Sequence, residues 1–88
     1  MLVYVIMLVK LVGGFRNTRQ CRETWIPIEV AASFDKAMAI VEYEARISYP
    51  DLKFQWDSGL GVWAYQSYSS EGCKTISYEI YRVYMEES

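Results

Sequence analysis

The stretch VWAYQSYSSEGCKTISYEIYRVYM, residues 62–85, decides the fold. Two runs rich in tyrosine, valine and isoleucine flank Ser70-Glu71-Gly72, and each alternates at period two, the pattern of the arms of a hairpin. Residues 62–69 and 75–85 are the predicted arms. Setting Tyr65 opposite Tyr78 puts Trp63, Tyr65, Ile76, Tyr78 and Ile80 on one face, with enough ring and β-branched mass to pack beneath a helix. The other face then carries Ala64, Gln66, Tyr68, Ser77, Glu79 and Tyr81, followed by Val83 and Met85. That mixture of ring, amide and carboxylate is characteristic of binding surfaces. A slip of one residue would exchange the two faces.

Working upstream, Leu52, Phe54 and Trp56 fall at period two and predict a strand over residues 52–57. Asp57-Ser58-Gly59-Leu60-Gly61 then reads as a turn, with glycines free to adopt positive φ. Before it, Ser33 is a good N-cap, and Phe34, Ala37, Met38, Val41, Ala45 and Ser48 recur at helical spacing. Pro50 disfavours helix at Tyr49 and ends it, while Asp35, Glu42, Glu44 and Arg46 point to solvent. Residues 24–30 alternate, Trp25, Pro27 and Glu29 against Ile26, Ile28 and Val30. Pro27 has no N–H for a ladder, so this is an edge strand or a short one. Leu2–Val12 is apolar at both parities, as in a strand covered on both faces. One helix covers one face, so the other face of this strand needs a second cover, from another protomer or a target. The order of elements predicts a single two-layer α+β domain over residues 1–88: an antiparallel sheet of four to five strands with one helix packed on one face.

Composition narrows the function classes. Hydrophobic residues make up 52% of the 88-residue chain and charged residues 23%, which is globular rather than disordered. The formal charge of −2 is too small for a non-specific nucleic-acid binder and too small for a mimic of DNA. The apolar opening lacks a basic lead and a cleavage site, and Lys10 and Gly13-Gly14 end it short of the ~20 residues a membrane helix needs. Cys21 and Cys73 form no CxxC or CxxH pattern, so no metal or cofactor is expected, and both read as reduced thiols of a cytoplasmic protein, the alternative being a disulfide that joins two loops.

The chain has eight tyrosines and no histidine. Histidine is the usual general base near neutral pH and a frequent metal ligand, whereas tyrosine suits contact surfaces. Lys10, Lys36, Lys53 and Lys74 activate no neighbouring nucleophile, and Glu42 and Glu44 point to different sides of a helix, so no enzymatic activity is expected. A sheet face bearing rings also suits single-stranded RNA, but no RNP-like run is present and Glu79 stands among the rings, which disfavours direct nucleic-acid binding. The sharpest charged feature is Arg16-Asn17-Thr18-Arg19-Gln20-Cys21-Arg22, which contains no acid; its guanidiniums suit carboxylate or phosphate.

From Trp25-Ile26-Pro27-Ile28-Glu29-Val30, through Ser33-Phe34-Asp35-Lys36-Ala37, to the tyrosine-rich last strand, the layout resembles the small strand–helix–meander proteins of phage accessory genes. That group includes many anti-CRISPR and other anti-defence inhibitors. The resemblance implies a compact protein that blocks a larger one through its surface, and the charge sets this chain apart from acidic inhibitors that imitate DNA. The expected function is therefore a non-enzymatic inhibitor that sterically occludes a larger host protein or ribonucleoprotein complex in the host cytoplasm. Its expected contact residues are Arg16, Arg19, Arg22, Trp25, Tyr68 and Tyr81. The alternative is a small ligand- or nucleotide-binding protein, often a homodimer, whose arginine loop holds a phosphate.

Overall fold

The computed structural model describes residues 1–12, 22–59, 62–68 and 74–86. The elements run β1 (Leu2–Val12), β2 (Arg22–Ala31), α1 (Phe34–Ser48), β3 (Gln55–Gly59), β4 (Val62–Tyr68) and β5 (Lys74–Tyr84). The strands form one antiparallel sheet in the order β2-β1-β5-β4-β3, with α1 on one face, the two-layer α+β arrangement the sequence predicts. β1 lies between β2 and β5, the interior position that its apolar residues at both parities require.

The ends of α1 follow its sequence signals. The Ser33 side chain accepts a hydrogen bond from the Lys36 backbone N–H at 3.2 Å, and the Tyr49 N–H closes the last turn on the Ala45 carbonyl at 2.9 Å, one residue before Pro50. Ala37, Val41 and Ala45 are buried and Phe34 and Met38 half-buried, while Ser48, expected on the same stripe, is exposed at the helix end. These residues seat on Ile6, Ala31, Tyr78 and Ile80 from the sheet. Tyr65 pairs with Tyr78, and Tyr65, Ile76, Tyr78 and Ile80 of the hairpin face predicted to pack under the helix join the core, whereas Trp63 of the same face stays 42% exposed.

Three features depart from the sequence reading. β3 starts at Gln55, because the Leu52 N–H bonds back to the Tyr49 carbonyl at 3.2 Å and holds the chain in a turn. Phe54 nevertheless joins the core, stacked on Tyr65 with centroids 5.0 Å apart and planes 14° from parallel. β3 also continues past Asp57 to Gly59, taking in Ser58 and Gly59, which the sequence assigns to a turn. Third, β2 is the edge strand that Pro27 allows, but it runs from Arg22 to Ala31, longer than the predicted residues 24–30.

The irregularity at Pro27 has the largest consequence. Met7 pairs with Pro27 and Ile6 with Glu29, so Ile28 is an extra residue in a bulge. Proline cannot donate to the ladder, and a bulge absorbs that gap while reversing side-chain parity beyond it. Val30 therefore shares a face with Trp25, opposite Val5, and not with Ile26 as strict alternation predicts.

A 15-residue helix spans ~22 Å, whereas an 11-residue strand spans ~36 Å. The single helix thus roofs only part of one sheet face and none of the other. Among the described residues, no helix is long and apolar enough to cross a membrane.

Candidate functional site

The helix-free face is built on the odd-numbered residues of β1. Val9 is flanked by Trp25 and Ser77, Met7 by Pro27 and Glu79, and Val5 by Val30 and Tyr81. Trp25 and Tyr81 come from strands on either side of β1 and are offset along it, so a line between them crosses β1 at Met7. Their rings meet there, with centroids 6.3 Å apart and planes tilted by 46°. This contact explains how a strand with no helix above it buries Val9 to 1% exposure and leaves Met7 half-buried. Part of the cover that the sequence assigns to another molecule comes from the sheet's own side chains.

The cover is incomplete. Trp25 remains 46% exposed, Val30 55% and Val83 39%. Val83 pairs with Val3, and Val30 and Tyr81 both pair with Val5, so these side chains form one strip along the β2-β1-β5 half of the face. Each exposed ring or branched chain is a common single occurrence on a protein surface; a contiguous strip rimmed by polar groups is characteristic of an interaction site.

The β5-β4-β3 half is polar and internally bonded. Asp57 Oδ2 accepts hydrogen bonds from Gln66 Nε2 at 3.1 Å and Gln55 Nε2 at 3.4 Å. Glu79 Oε1 accepts one from the Tyr81 hydroxyl at 2.7 Å. Both carboxylates are thus held by neighbours, which fixes their positions and presents the remaining lone pairs outward beside a shallow cavity of about 250 Å³ next to Ala64. The Ser77 hydroxyl is fully buried with no hydrogen-bond partner, and its lack of solvent access removes it as a nucleophile. Among the described residues, no group of three or more histidine, cysteine, aspartate or glutamate side chains converges on a metal-sized site.

Of the residues expected to make contact, Trp25 and Tyr81 come together on this face. Arg16 and Arg19 lie outside the described residues. Arg22 begins β2, its backbone paired with Val12, three positions or ~10 Å along the strand from Trp25. Tyr68 ends β4 opposite Lys74, past an irregularity that follows Ser67. Sequence reasoning missed Val30 and the Asp57 cluster. The first is hidden by the bulge, which only Pro27 hints at; the second depends on the β3–β4 register, for which residues 55–66 carry no strong local cue. No protein-family model matches this chain, and no curated protein or solved structure is similar to it.

Proposed function

We propose that this chain is a non-enzymatic protein-binding domain that docks the helix-free face of its sheet on a larger protein or ribonucleoprotein complex and occludes it. The observation that carries this reading is the Trp25–Tyr81 contact over Met7, flanked by exposed Val30 and Val83. Aromatic side chains that lose little rotamer freedom on binding are the usual energetic centres of interfaces. Here they are held in place by each other and by the Tyr81–Glu79 hydrogen bond. The adjoining hydrogen-bonded Asp57 and Glu79 supply a polar rim that tolerates partial desolvation, and in the sequence the arginine-rich stretch ends at Arg22, the first residue of the same edge strand. The layout resembles that of small phage anti-defence proteins, which makes a host defence complex in the cytoplasm the target class to test first.

Affinity capture from host lysate tests this reading by comparing wild type with Trp25→Ala/Tyr81→Ala and with Tyr43→Ala. Tyr43 is 59% exposed on the outer side of α1 and serves as the surface control. A stoichiometric partner should be kept by wild type and by Tyr43→Ala, and bind the double variant at least about 30-fold more weakly, the loss expected from even one hot-spot ring at ~2 kcal/mol. A partner that binds the double variant as tightly as wild type would place the interface elsewhere. Light scattering on the purified chain separates a second copy of the chain from a foreign partner.

A further inference from the structure

We propose that the cavity at the start of α1, on the helix side of the sheet, binds a small anion that carries a flat aromatic ring. The cavity measures about 560 Å³, within the ~300–1,000 Å³ typical of small-molecule sites. It forms because α1 enters over the β2 side of the sheet and stops short of roofing β4 and β3 at this level. Ile80, 2% exposed, is the floor. Phe34, the first helical residue, forms one wall. Its ring centroid lies 5.8 Å from that of Tyr4 and 5.6 Å from that of Trp63, at interplanar angles of 57° and 56°. Trp63 faces the opening with 42% of its surface exposed, although its register opposite Ile80 puts it on the packed side of the sheet. An indole in that position is left without the cover that Tyr65 and Tyr78 receive.

The charge in the cavity is one-sided. Arg82 follows Ile80 on the same face of β5, pairs with Tyr4, and lines the opening. Among the described residues it makes no ion pair, and none of the residues lining the cavity is a carboxylate. Asp35, in the first helical turn, is exposed and outside the lining. A guanidinium beside aromatic walls suits a planar ring inserted against Phe34 and Trp63, with a carboxylate or phosphate meeting the fork of Arg82. Neutral aromatic compounds gain the stacking alone. Cationic ones meet repulsion from Arg82. The site is separate from the helix-free face, so occupation of one leaves the other accessible.

Isothermal titration with two matched pairs tests the proposal: adenosine monophosphate against adenosine, and indole-3-acetate against indole-3-acetamide. At least one anion should bind about tenfold or more tightly than its neutral partner, as a charge-assisted hydrogen bond supplies. Preference for the phosphate identifies a nucleotide, and preference for the carboxylate an aromatic acid. Arg82→Gln should abolish the preference for the anion, and Arg82→Lys should restore part of it. Ser58→Phe, at an exposed position on the edge strand β3, fills the opening and should remove binding of every probe; the Trp63 indole N–H resonance reports occupancy directly. Equal binding of anion and neutral partner, an undiminished preference in Arg82→Gln, or no binding of any probe at about millimolar concentration would each overturn the proposal.

Discussion

Replacing Tyr78 by phenylalanine separates the packing of its ring from the burial of its hydroxyl. Tyr78 is 1% exposed, packs against Phe54 at a centroid distance of 6.0 Å, and stands opposite Tyr65 on β4 and Leu8 on β1. Burial pushes its pKa up from 10.0 to about 12, helped by the nearby Tyr49 and Glu44, which disfavour a further negative charge, and opposed by a hydrogen bond with Ser48. The folded state therefore holds this proton more tightly than the unfolded chain does. Below pH ~10 the hydroxyl is protonated in both states and its contribution is complete. From there to pH ~12 the unfolded chain ionises while the native state stays neutral, so stability falls as pH rises. A displacement of this size corresponds to a loss of about 2–3 kcal/mol by the end of the window.

The assay is urea unfolding of wild type and Tyr78→Phe at steps from pH ~8 to ~12. Near pH 8 the variant should differ by only about 0.5–1.5 kcal/mol, the net contribution of one hydrogen bond. Through the alkaline window wild type should lose about 2–3 kcal/mol more than the variant, because tyrosines that titrate alike in both states cancel in the comparison. Tyr78→Ala, which also removes the ring, should cost about 3–5 kcal/mol near pH 8, a fall in Tm of at least ~12 °C for a domain of this size, and this deficit should narrow through the alkaline window as wild type loses its own share. Parallel stability curves for wild type and Tyr78→Phe from pH ~10 to ~12 would refute the reasoning, since the hydroxyl would then ionise as readily folded as unfolded.

Ile6 is 0% exposed at the centre of the core, so Ile6→Asp should abolish the cooperative unfolding transition seen by circular dichroism, an unpaired buried charge costing several kcal/mol against a total of about 5–15. A double-mutant cycle on Trp25→Ala and Tyr81→Ala should return a coupling of about 0.5–1.5 kcal/mol in urea midpoints; strict additivity would mean that the rings do not support each other across β1. Substituting Arg16, Arg19 and Arg22 together by alanine should shift Tm little, as expected if this polar, acid-free stretch of sequence contributes charge rather than packing, while partner binding weakens and loses its salt dependence. Unchanged salt dependence of binding in that triple variant would remove the loop from the interface.

The parts of this fold legible in the sequence are those that local patterns encode. Period-two alternation around Tyr65 and Tyr78 marks the two hairpin arms, Ser33 and Pro50 bracket the helix, and Pro27 marks an edge strand, whereas the register that sets Tyr65 opposite Tyr78 is supplied by the strand pairing itself. What stayed hidden depends on relations between strands. The bulge at Pro27 reverses parity and brings Val30 beside Trp25, which no count along β2 alone reveals. Trp63 has the correct parity for burial and is still half in water, because exposure there depends on where a ~22 Å helix ends above a longer strand. The second apolar face of β1 is the clearest case. Its sequence calls for an external cover, yet the Trp25–Tyr81 contact buries Val9 from within the chain and leaves Val30 and Val83 open. The sheet thus has enough internal cover to be folded before it meets a partner, with a pre-positioned aromatic pair at the centre of the remaining apolar strip. Under the proposed function, a partner docking on that strip would spend little on ordering the surface, and the affinity would depend chiefly on how well it fits the two rings.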